Sequence, residues 1–360
     1  MAYNRNKQKM SSSNFYNNIK GKRILITGNT GFVGSYLSLT LSLMGAKILG
    51  YSLKMNNKNF LSNKNEFKKK IKTINSDIIE IQKYYKKINL FKPEIIIHLA
   101  SQSLVKESYL HTSETYKTNI FGTIELMELA RKLKNLKHIL IFTSDKVYEN
   151  LDGSILNENS KLGGVDPYSS SKSSQDIISN SYKQSFFKKK LNVSIIRAGN
   201  IIGGGDWNLS RLVPDIYSSI YTKKKLKIRN PNAIRPWQHV LDVINAIIFV
   251  LLKNKQSINI NTNIFNIGPN LSSNLTVKEL VKKIKKKSNF NFLIKKIKFK
   301  ESKILRLSNH FAKKKIGWRP KLNINQTINL TNIWYDQFFI DKKSIYKFTE
   351  KQIISFFNLK

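Results

Sequence analysis

A short apolar run that ends in a glycine-rich turn constrains the fold of this chain more than any other feature. The run "RILITG", which begins at Arg23, is typical of a buried parallel strand, and "TGNTGFVGS" then places glycines at Gly28, Gly31 and Gly34. An apolar pattern at helical spacing follows and stops at Gly45, which fits a helix C-cap. A strand, a glycine turn and a helix in this order predict a backbone that closely approaches a pyrophosphate at the helix N-terminus.

The rest of the N-terminal half alternates between strand-like and helical patterns. After "AKILGYSL", further strands are predicted at "EIIIHLA" (Glu94 to Ala100), "HILIFTS" and "VSIIRAG" (Val193 to Gly199), with helical stretches such as "TNIFGTIELMELARKL" between them. Alternation of this kind implies right-handed crossovers. The predicted fold class is therefore α/β, a Rossmann-type doubly wound parallel sheet with a smaller, interleaved C-terminal substrate-binding domain.

The pattern also predicts where the domains begin and end. Residues 1–20 are interpreted as a polar N-terminal arm, and residues 21–199 as the dinucleotide-binding domain, to which roughly 238–268 return. Residues 200–237 and 269–360 are assigned to the substrate-binding domain. Near the C-terminus, Thr349 and Gln352 have the spacing of a capping box and predict a helix start.

Composition excludes several classes of protein and site. The chain has 360 residues, no cysteine, and five histidines that lie too far apart for a local metal motif, so we expect neither a disulfide nor a metal. No apolar run reaches the ~18 residues of a membrane helix, and the N-terminus lacks the apolar centre of a secretory signal. We therefore expect a cytoplasmic protein without a membrane partner.

The net charge of +41 raises the alternative of a nucleic-acid-binding protein. The excess comes mostly from lysines spread through segments such as "NKNEFKKKIKTIN", without a recognisable nucleic-acid-binding module. We interpret these lysines as solvated surface charge, so nucleic acid is the less favoured partner. The positive field would still attract a small anionic substrate.

Two short stretches carry groups that could transfer protons. "FTSDKVYEN" ends a predicted strand in Ser144, Asp145 and Lys146, and "DPYSSSK" places Tyr168 and Lys172 four residues apart, on one face of a helix. A phenol with a pKa of ~10 is a poor base, but a nearby ammonium group and a nicotinamide ring would favour the phenolate. The tyrosine could then remove a proton from a hydroxyl during hydride transfer.

In this order, "TGNTGFVG", "TSDKVY" and "YSSSK" resemble the extended short-chain dehydrogenase/reductase superfamily. The longer runs "LGGVDPYSSSK", "RAGNIIGGGDW", "RLVPDI" and "IRNPNAIRPWQHV" are similar to the sugar-nucleotide 4,6-dehydratases that act on CDP-glucose. The resemblance extends from "FYNNIKGKRILITG" to "WYDQFF", which is nearly the whole chain. The chain departs from the family pattern at Val33, where family members often have lysine, and at Ser103, where they often have proline.

The resemblance implies oxidation of the hexose at C4, elimination of water across C5 and C6, and return of the hydride to C6. Tyr168 would take the C4 hydroxyl proton, with Ser144 bonded to the forming ketone and Lys172 supporting the phenolate. By position, Lys146 would be the C5 base and Asp145 the C6 acid. These roles require a neutral lysine and a protonated aspartate, so we expect diverging, largely desolvated side chains.

The resemblance also implies binding residues. NAD is the expected cofactor, but the second strand lacks the usual acid for the ribose hydroxyls, and Lys54 near that place leaves NADP open. The implied substrate-binding residues are Asn200, Arg211, Arg229 and Arg235. The implied cofactor-binding residues are Gly28, Gly31, Phe32, Val33, Gly34, Asp77, Ile78, Leu99, Ala100, Tyr168 and Lys172.

Relatives form homodimers through helices of the sheet domain, and the product would enter deoxysugars of surface polysaccharides. Alternatives are another dehydratase, an epimerase or a reductase acting on a dTDP-, GDP- or UDP-sugar. A non-enzymatic dinucleotide sensor is the alternative from a different class. The "TSDK" and "YSSSK" runs argue against that sensor, since a pure binder does not use paired proton donors.

Overall fold

The computed structural model describes residues 15–57, 59–149, 152–187, 190–208, 210–253, 263–285, 292–294 and 302–359. Its strands are β1 (Arg23–Thr27), β2 (Lys47–Ser52), β3 (Lys72–Asn75), β4 (Ile95–His98), β5 (His138–Ser144), β6 (Ile155–Leu156), β7 (Asn192–Ala198), β8 (Ile201–Ile202), β9 (Leu226–Ile228), β10 (Ile234–Pro236), β11 (Gln238–His239), β12 (Ile264–Ile267), β13 (Asn274–Thr276), β14 (Phe292–Ile294) and β15 (Arg306–Leu307).

Seven of these strands form one parallel sheet in the order β12-β7-β5-β4-β1-β2-β3. The chain builds outward from β1 to β3, then returns to place β4 on the other side of β1. Such a reversal opens a crevice at the carboxyl ends of the two central strands. The predicted doubly wound sheet is confirmed, and the remaining strands form short two-stranded pairs outside it.

Helices cover both faces of the sheet and build the C-terminal region. They are α1 (Phe32–Leu43), α2 (Asn65–Lys70), α3 (Tyr85–Phe91), α4 (Val105–Leu110), α5 (Thr112–Tyr116), α6 (Gly122–Lys132), α7 (Pro167–Tyr182), α8 (Leu212–Thr222), α9 (Val240–Lys253), α10 (Val277–Lys285), α11 (His310–Lys315), α12 (Ile324–Ile340) and α13 (Ile345–Phe357). A π-helical turn, Lys117–Phe121, joins α5 to α6.

Alternate side chains of β1 enter different cores, which is what a strand covered on both faces requires. Ile24 and Ile26 belong to the core beneath α1 and α9, whereas Leu25 belongs to the core on the α6 side. A third apolar cluster, built around Trp237 and Trp334, lies in the C-terminal region. The helix α9 packs on α1, and β12 joins the edge of the sheet, so both elements return to the sheet domain.

Two details of the prediction differ from the structure. Thr349 does not start a helix, because it lies buried inside α13, where its hydroxyl donates to the Ile345 carbonyl and accepts from Trp334 Nε1. A capping box does occur at the start of α12, between Asn323 and Gln326.

The boundary of the predicted arm also differs. Residues 1–14 of that arm lie outside the described residues, but Tyr16 and Ile19 are buried in the core beneath α1 and α9. The Tyr16 hydroxyl donates to Asn245 Oδ1 at 2.9 Å. In the described portions of the chain, no helix is long and apolar enough to cross a membrane.

Candidate active site

A cavity of about 650 Å³ lies at the carboxyl edge of the parallel sheet. It runs from the glycine turn after β1, past the ends of β4 and β5, to the loops around α8. Every site residue that the sequence predicted lines this cavity. The fold therefore brings together residues from Gly28 to Arg235 that lie far apart in the chain.

The glycine turn leaves no room for side chains at two of its positions. Gly28 has a φ of +73°, and a Cβ there would lie 2.7 Å from the Ala100 nitrogen. A Cβ on Gly34 would lie 2.1 Å from the Gly28 carbonyl oxygen. Gly31 caps the N-terminus of α1 and lines the cavity. This bare backbone at a helix N-terminus fits the pyrophosphate of a dinucleotide.

The end of β2 has no acid, and other polar groups occupy that part of the cavity. The hydroxyls of Ser52 and Thr30 lie 2.7 Å apart, and Thr30 also donates to the Leu53 carbonyl. Lys54 is exposed, while its neighbours Leu53 and Met55 line the cavity.

Asp77 and Ile78 line the same end of the cavity. Asp77 Oδ1 accepts from the Ile79 nitrogen at 3.2 Å and caps the turn that follows β3. Its carbonyl accepts from the Tyr51 hydroxyl at 2.7 Å. Both residues are thus held in the cavity wall, and their contact with the cofactor stays a prediction.

The residues at the end of β5 bring a carboxyl and an amine to the same cavity. Ser144 Oγ donates to Asp145 Oδ1 at 3.0 Å and accepts from the Lys146 nitrogen at 3.2 Å. Asp145 is 3% exposed, and burial raises the pKa of its carboxyl, although Lys146, Ser144 and Arg235 oppose the rise. Lys146 Nζ lies 5.9 Å from the centre of the Tyr168 ring. The buried Asp145 carboxyl and the Lys146 side chain therefore line one cavity.

Tyr168 and Lys172 lie on α7, which begins with the N-cap Asp166 and Pro167. Burial raises the pKa of the Tyr168 phenol to about 12, with a hydrogen bond to Ser144 acting in the opposite direction. Burial lowers the pKa of the Lys172 amine to about 7. Desolvation thus dominates the pKa of both side chains.

A buried chain of polar side chains continues from Lys172 into the sheet. Lys172 Nζ donates to Gln175 Oε1 at 3.0 Å, and Gln175 Nε2 donates to Thr123 Oγ1 at 2.8 Å. Thr123 Oγ1 lies 3.2 Å from His98 Nε2, and His98 Nδ1 lies 2.7 Å from Thr27 Oγ1. Burial and the nearby lysine lower the pKa of His98 to about 3, so this imidazole is neutral.

A buried ion pair fixes α7 against β7. Arg197 Nε lies 2.6 Å from Asp176 Oδ2, and both side chains are at most 2% exposed. Arg197 Nη1 also donates to the Tyr148 hydroxyl at 2.8 Å, and that hydroxyl donates to Asn266 Oδ1 at 2.6 Å. Because Asp176 follows Tyr168 and Lys172 at four-residue spacing, this pair aligns their helix with the segment that carries Asp145 and Lys146.

Cations line the far end of the cavity. Arg211 Nη1 pairs with Asp206 Oδ2 at 2.9 Å, and Nη2 donates to Ser103 Oγ at 2.7 Å. Arg235 is 5% exposed and donates to the Ile234 carbonyl at 2.9 Å. The serine at position 103, where the resembled family often has proline, thus supplies a hydrogen-bond acceptor that holds Arg211.

Asn200 and Arg229 complete this end. The Asn200 carbonyl accepts from the Gln238 nitrogen at 2.9 Å, which ties its loop to β11. Arg229 Nη2 donates to the Ser210 carbonyl at 2.7 Å. Trp237 packs in the C-terminal cluster with its Nε1 donating to the Leu275 carbonyl, as expected for a packing role.

Sequence reasoning missed several residues that organise the site. Asn119 lies in the π-helical turn, buried, where it holds the Gln102 backbone and donates to Ser171 Oγ at 2.8 Å. No sequence signal marks such a turn. Arg197 could have been found, since an arginine inside the apolar run "VSIIRAG" needs a buried acid as a partner.

Comparisons with known proteins agree with this geometry. The family model described as GDP-mannose 4,6 dehydratase matches residues 25–331. A CDP-glucose 4,6-dehydratase of Salmonella typhimurium is 35% identical over 336 residues, which cover 91% of this chain and 93% of the relative.

Two solved structures share the fold. The dTDP-glucose 4,6-dehydratase of Bacillus anthracis, in complex with NAD, is 24% identical with a TM-score of 0.76, over 91% of this chain and all of the other. The UDP-glucose 4-epimerase of Thermotoga maritima, with UDP-glucose, is 22% identical with a TM-score of 0.77, over 89% of this chain and all of the other.

Proposed function

Because this chain belongs to the GDP-mannose 4,6-dehydratase family, we propose that it is an NAD-dependent CDP-glucose 4,6-dehydratase. The reaction converts CDP-glucose into CDP-4-keto-6-deoxyglucose and water. The substrate follows from the Salmonella relative, with which the chain shares 35% identity. The observation that carries the chemistry is the buried Asp145 beside Lys146, in the same cavity as Ser144, Tyr168 and Lys172.

The first chemical step is oxidation at C4. Tyr168 removes the C4 hydroxyl proton, and Ser144 donates a hydrogen bond to the oxygen that becomes the ketone. The glycine turn with Asp77 and Ile78 would hold NAD, which would supply a hydride acceptor for C4, a hydride donor for C6 and a ring charge that lowers the pKa of Tyr168. Lys172, whose Nζ donates to Gln175 Oε1 at 3.0 Å, supports the phenolate form of Tyr168 from the same helix when its amine is protonated.

The second step is loss of water across C5 and C6. Oxidation at C4 makes the C5 proton acidic, and the Lys146 amine removes it, then gives a proton back to C5 when the hydride is added at C6. Asp145 gives its proton to the departing C6 hydroxyl, for which its burial is suited because it raises the carboxyl pKa. A 4-epimerase needs Ser144, Tyr168 and Lys172 but has no use for this second pair, which favours the dehydratase over that alternative.

The far end of the cavity suits a nucleoside diphosphate. Arg211 and Arg235 offer planar guanidinium groups for the pyrophosphate, and Asn200 offers an amide donor for the phosphate or sugar. We assign residues 200–237 and 269–360 to the substrate-binding domain. The cofactor-binding domain consists of 21–199 with the returning segment around α9 and β12.

The function can be tested directly by a substrate panel. We expect the purified protein to convert CDP-glucose to a product with the alkali-induced absorbance of a 4-keto-6-deoxy sugar. We expect slower conversion of dTDP-, UDP- and GDP-glucose, because the Salmonella relative at 35% identity is a CDP-glucose 4,6-dehydratase. Absence of this product from all four substrates would refute the dehydratase assignment.

The protein is also proposed to form a homodimer through the helices that carry the site. Leu110, Phe121 and Ile177 lie on or between α4 and α7 and each expose more than half of their surface. Light scattering should give about twice the chain mass of 41.7 kDa. A monomer at micromolar concentration would contradict the dimer.

We also propose that the reaction takes place in the cytoplasm and that its product supplies deoxysugars for surface polysaccharides.

A further inference from the structure

Four aspartates line the described part of the cavity, and three of them have an evident task. Asp77 caps the turn after β3, Asp145 is the proposed C6 acid, and Asp206 neutralises Arg211. The fourth, Asp215, lies in the first turn of α8 and is half-buried. A cavity that receives a nucleoside diphosphate gains nothing from another negative charge, so this carboxylate needs an explanation.

Asp215 takes part in an unusual backbone arrangement. Its Oδ1 accepts from the Ser210 nitrogen at 3.3 Å, and Arg229 Nη2 donates to the Ser210 carbonyl at 2.7 Å. Ser210 has a φ of +77°, a left-handed conformation that residues other than glycine seldom adopt. Two cavity-lining side chains of opposite charge thus hold one strained residue, and strain of this kind is concentrated at functional sites.

The position of Asp215 and Arg229 indicates which part of the substrate they contact. Arg211 and Arg235 take the pyrophosphate in the proposed function, and the sugar must reach Tyr168. The base is then left with the remaining wall of the cavity, which includes Asp215 and Arg229. Burial raises the pKa of the Asp215 carboxyl, while the Ser210 nitrogen and Arg229 oppose the rise.

A carboxylate acceptor beside a guanidinium donor complements the hydrogen-bonding edge of cytosine. Cytosine presents an amine donor at N4 next to acceptors at N3 and O2, and Asp or Glu side chains accept from that amine in known nucleic-acid complexes. Uracil and thymine present a carbonyl at the same position, which a carboxylate would repel. A buried hydrogen-bonding group that meets the wrong partner discriminates more strongly than an apolar contact.

We infer that Asp215 selects cytosine, by accepting a hydrogen bond from the N4 amine while Arg229 donates to the acceptors of the same edge. This inference rests on the proposed function and adds to it the residue that chooses the base. Asp215 and Arg229 both hold the Ser210 turn, so their side chains are in place before the substrate binds.

The substitution Asp215→Asn tests the inference because it changes little besides hydrogen-bond polarity. The amide oxygen still accepts from the Ser210 nitrogen, and the other carboxylate oxygen becomes an NH₂ donor. Calorimetry of the NAD-loaded protein should show CDP binding weakened by about 5-fold to 150-fold. UDP and dTDP binding should be unchanged or tighter, so that the preference for CDP narrows or reverses.

Asp336→Asn is the matched control, since Asp336 is an exposed aspartate on α12 that bonds the Tyr221 hydroxyl away from the cavity. It removes the same charge and should leave the order of nucleotide affinities intact. If Asp215→Asn does not fold, Asp215→Ser offers a smaller uncharged replacement. That variant should lose the CDP preference without favouring UDP.

The outcomes separate the inference from the proposed function. An unchanged ratio of CDP to UDP affinity in Asp215→Asn overturns the inference, as does equal weakening of CDP, UDP and dTDP, which would assign Asp215 to the ribose or phosphates. A wild-type protein that dehydrates none of the four nucleotide glucoses overturns the proposed function instead. If the wild-type protein prefers CDP-glucose and Asp215→Asn abolishes that preference, the result supports both the inference and the proposed function.

Discussion

Lys146→Ala is expected to stop the reaction between its two halves. Oxidation at C4 depends on Tyr168 and Ser144, which this change leaves in place, whereas removal of the C5 proton depends on the amine. With CDP-glucose, the variant should develop the absorbance of reduced nicotinamide and release the 4-keto-6-deoxy product more slowly than wild type by about 10²-fold to 10⁴-fold.

The control for this experiment is Lys161→Ala. Lys161 is an exposed lysine whose ammonium lies 2.6 Å from Glu149 Oε2, and its loss should change neither half of the reaction. A second check is exchange of the C5 proton with deuterated solvent, which should slow in Lys146→Ala along with product release. Normal turnover of Lys146→Ala would show that another group removes the C5 proton.

Tyr168→Phe should abolish the reaction at its first step. The phenol oxygen is the base for the C4 hydroxyl, and without it the cofactor should stay oxidised and no product should form. We expect turnover to fall by at least the ~10²–10⁴ typical of a lost general base. Stopped-flow absorbance of the nicotinamide distinguishes this result from that of Lys146→Ala, which should show reduction.

Tyr116→Phe provides the comparison for this second prediction. The Tyr116 hydroxyl lies 2.7 Å from Ser170 Oγ, close to the same helix, but Tyr116 does not line the described part of the cavity. It should retain the wild-type rate of cofactor reduction. Reduction at the wild-type rate in Tyr168→Phe would remove the tyrosine from its proposed role.

The sequence predicts the inner strands of the sheet well because each is a largely apolar run before a turn signal, whereas the edge strand β3, in which only Ile74 is buried, has no such run. The glycine turn is equally predictable, since the space at Gly28 and Gly34 admits no side chain. Helix starts are harder to locate. The spacing of Thr349 and Gln352 matches a capping box, yet tertiary packing on Trp334 buries the threonine one turn inside the helix.

The sequence indicates the side chains that the proposed chemistry requires, but not those that hold them in place. Sequence spacing indicates Tyr168 and Lys172, because both lie on one helix face. The partners Gln175 and Thr123 come from other turns and helices, and only the fold brings them to Lys172. The direction of the Tyr168 and Lys172 pKa shifts likewise depends on burial, which spacing does not report.

The position of β12 has a consequence for how the protein is made. The strand β7 is buried along its whole length, and among the described residues one of its edges pairs only with Ile264–Ile267. A nascent chain that has not yet been extended to those residues carries a central apolar strand with one open edge, which other polypeptides can join. We therefore expect the nascent chain to be most open to unwanted strand pairing between the synthesis of β7 and that of β12.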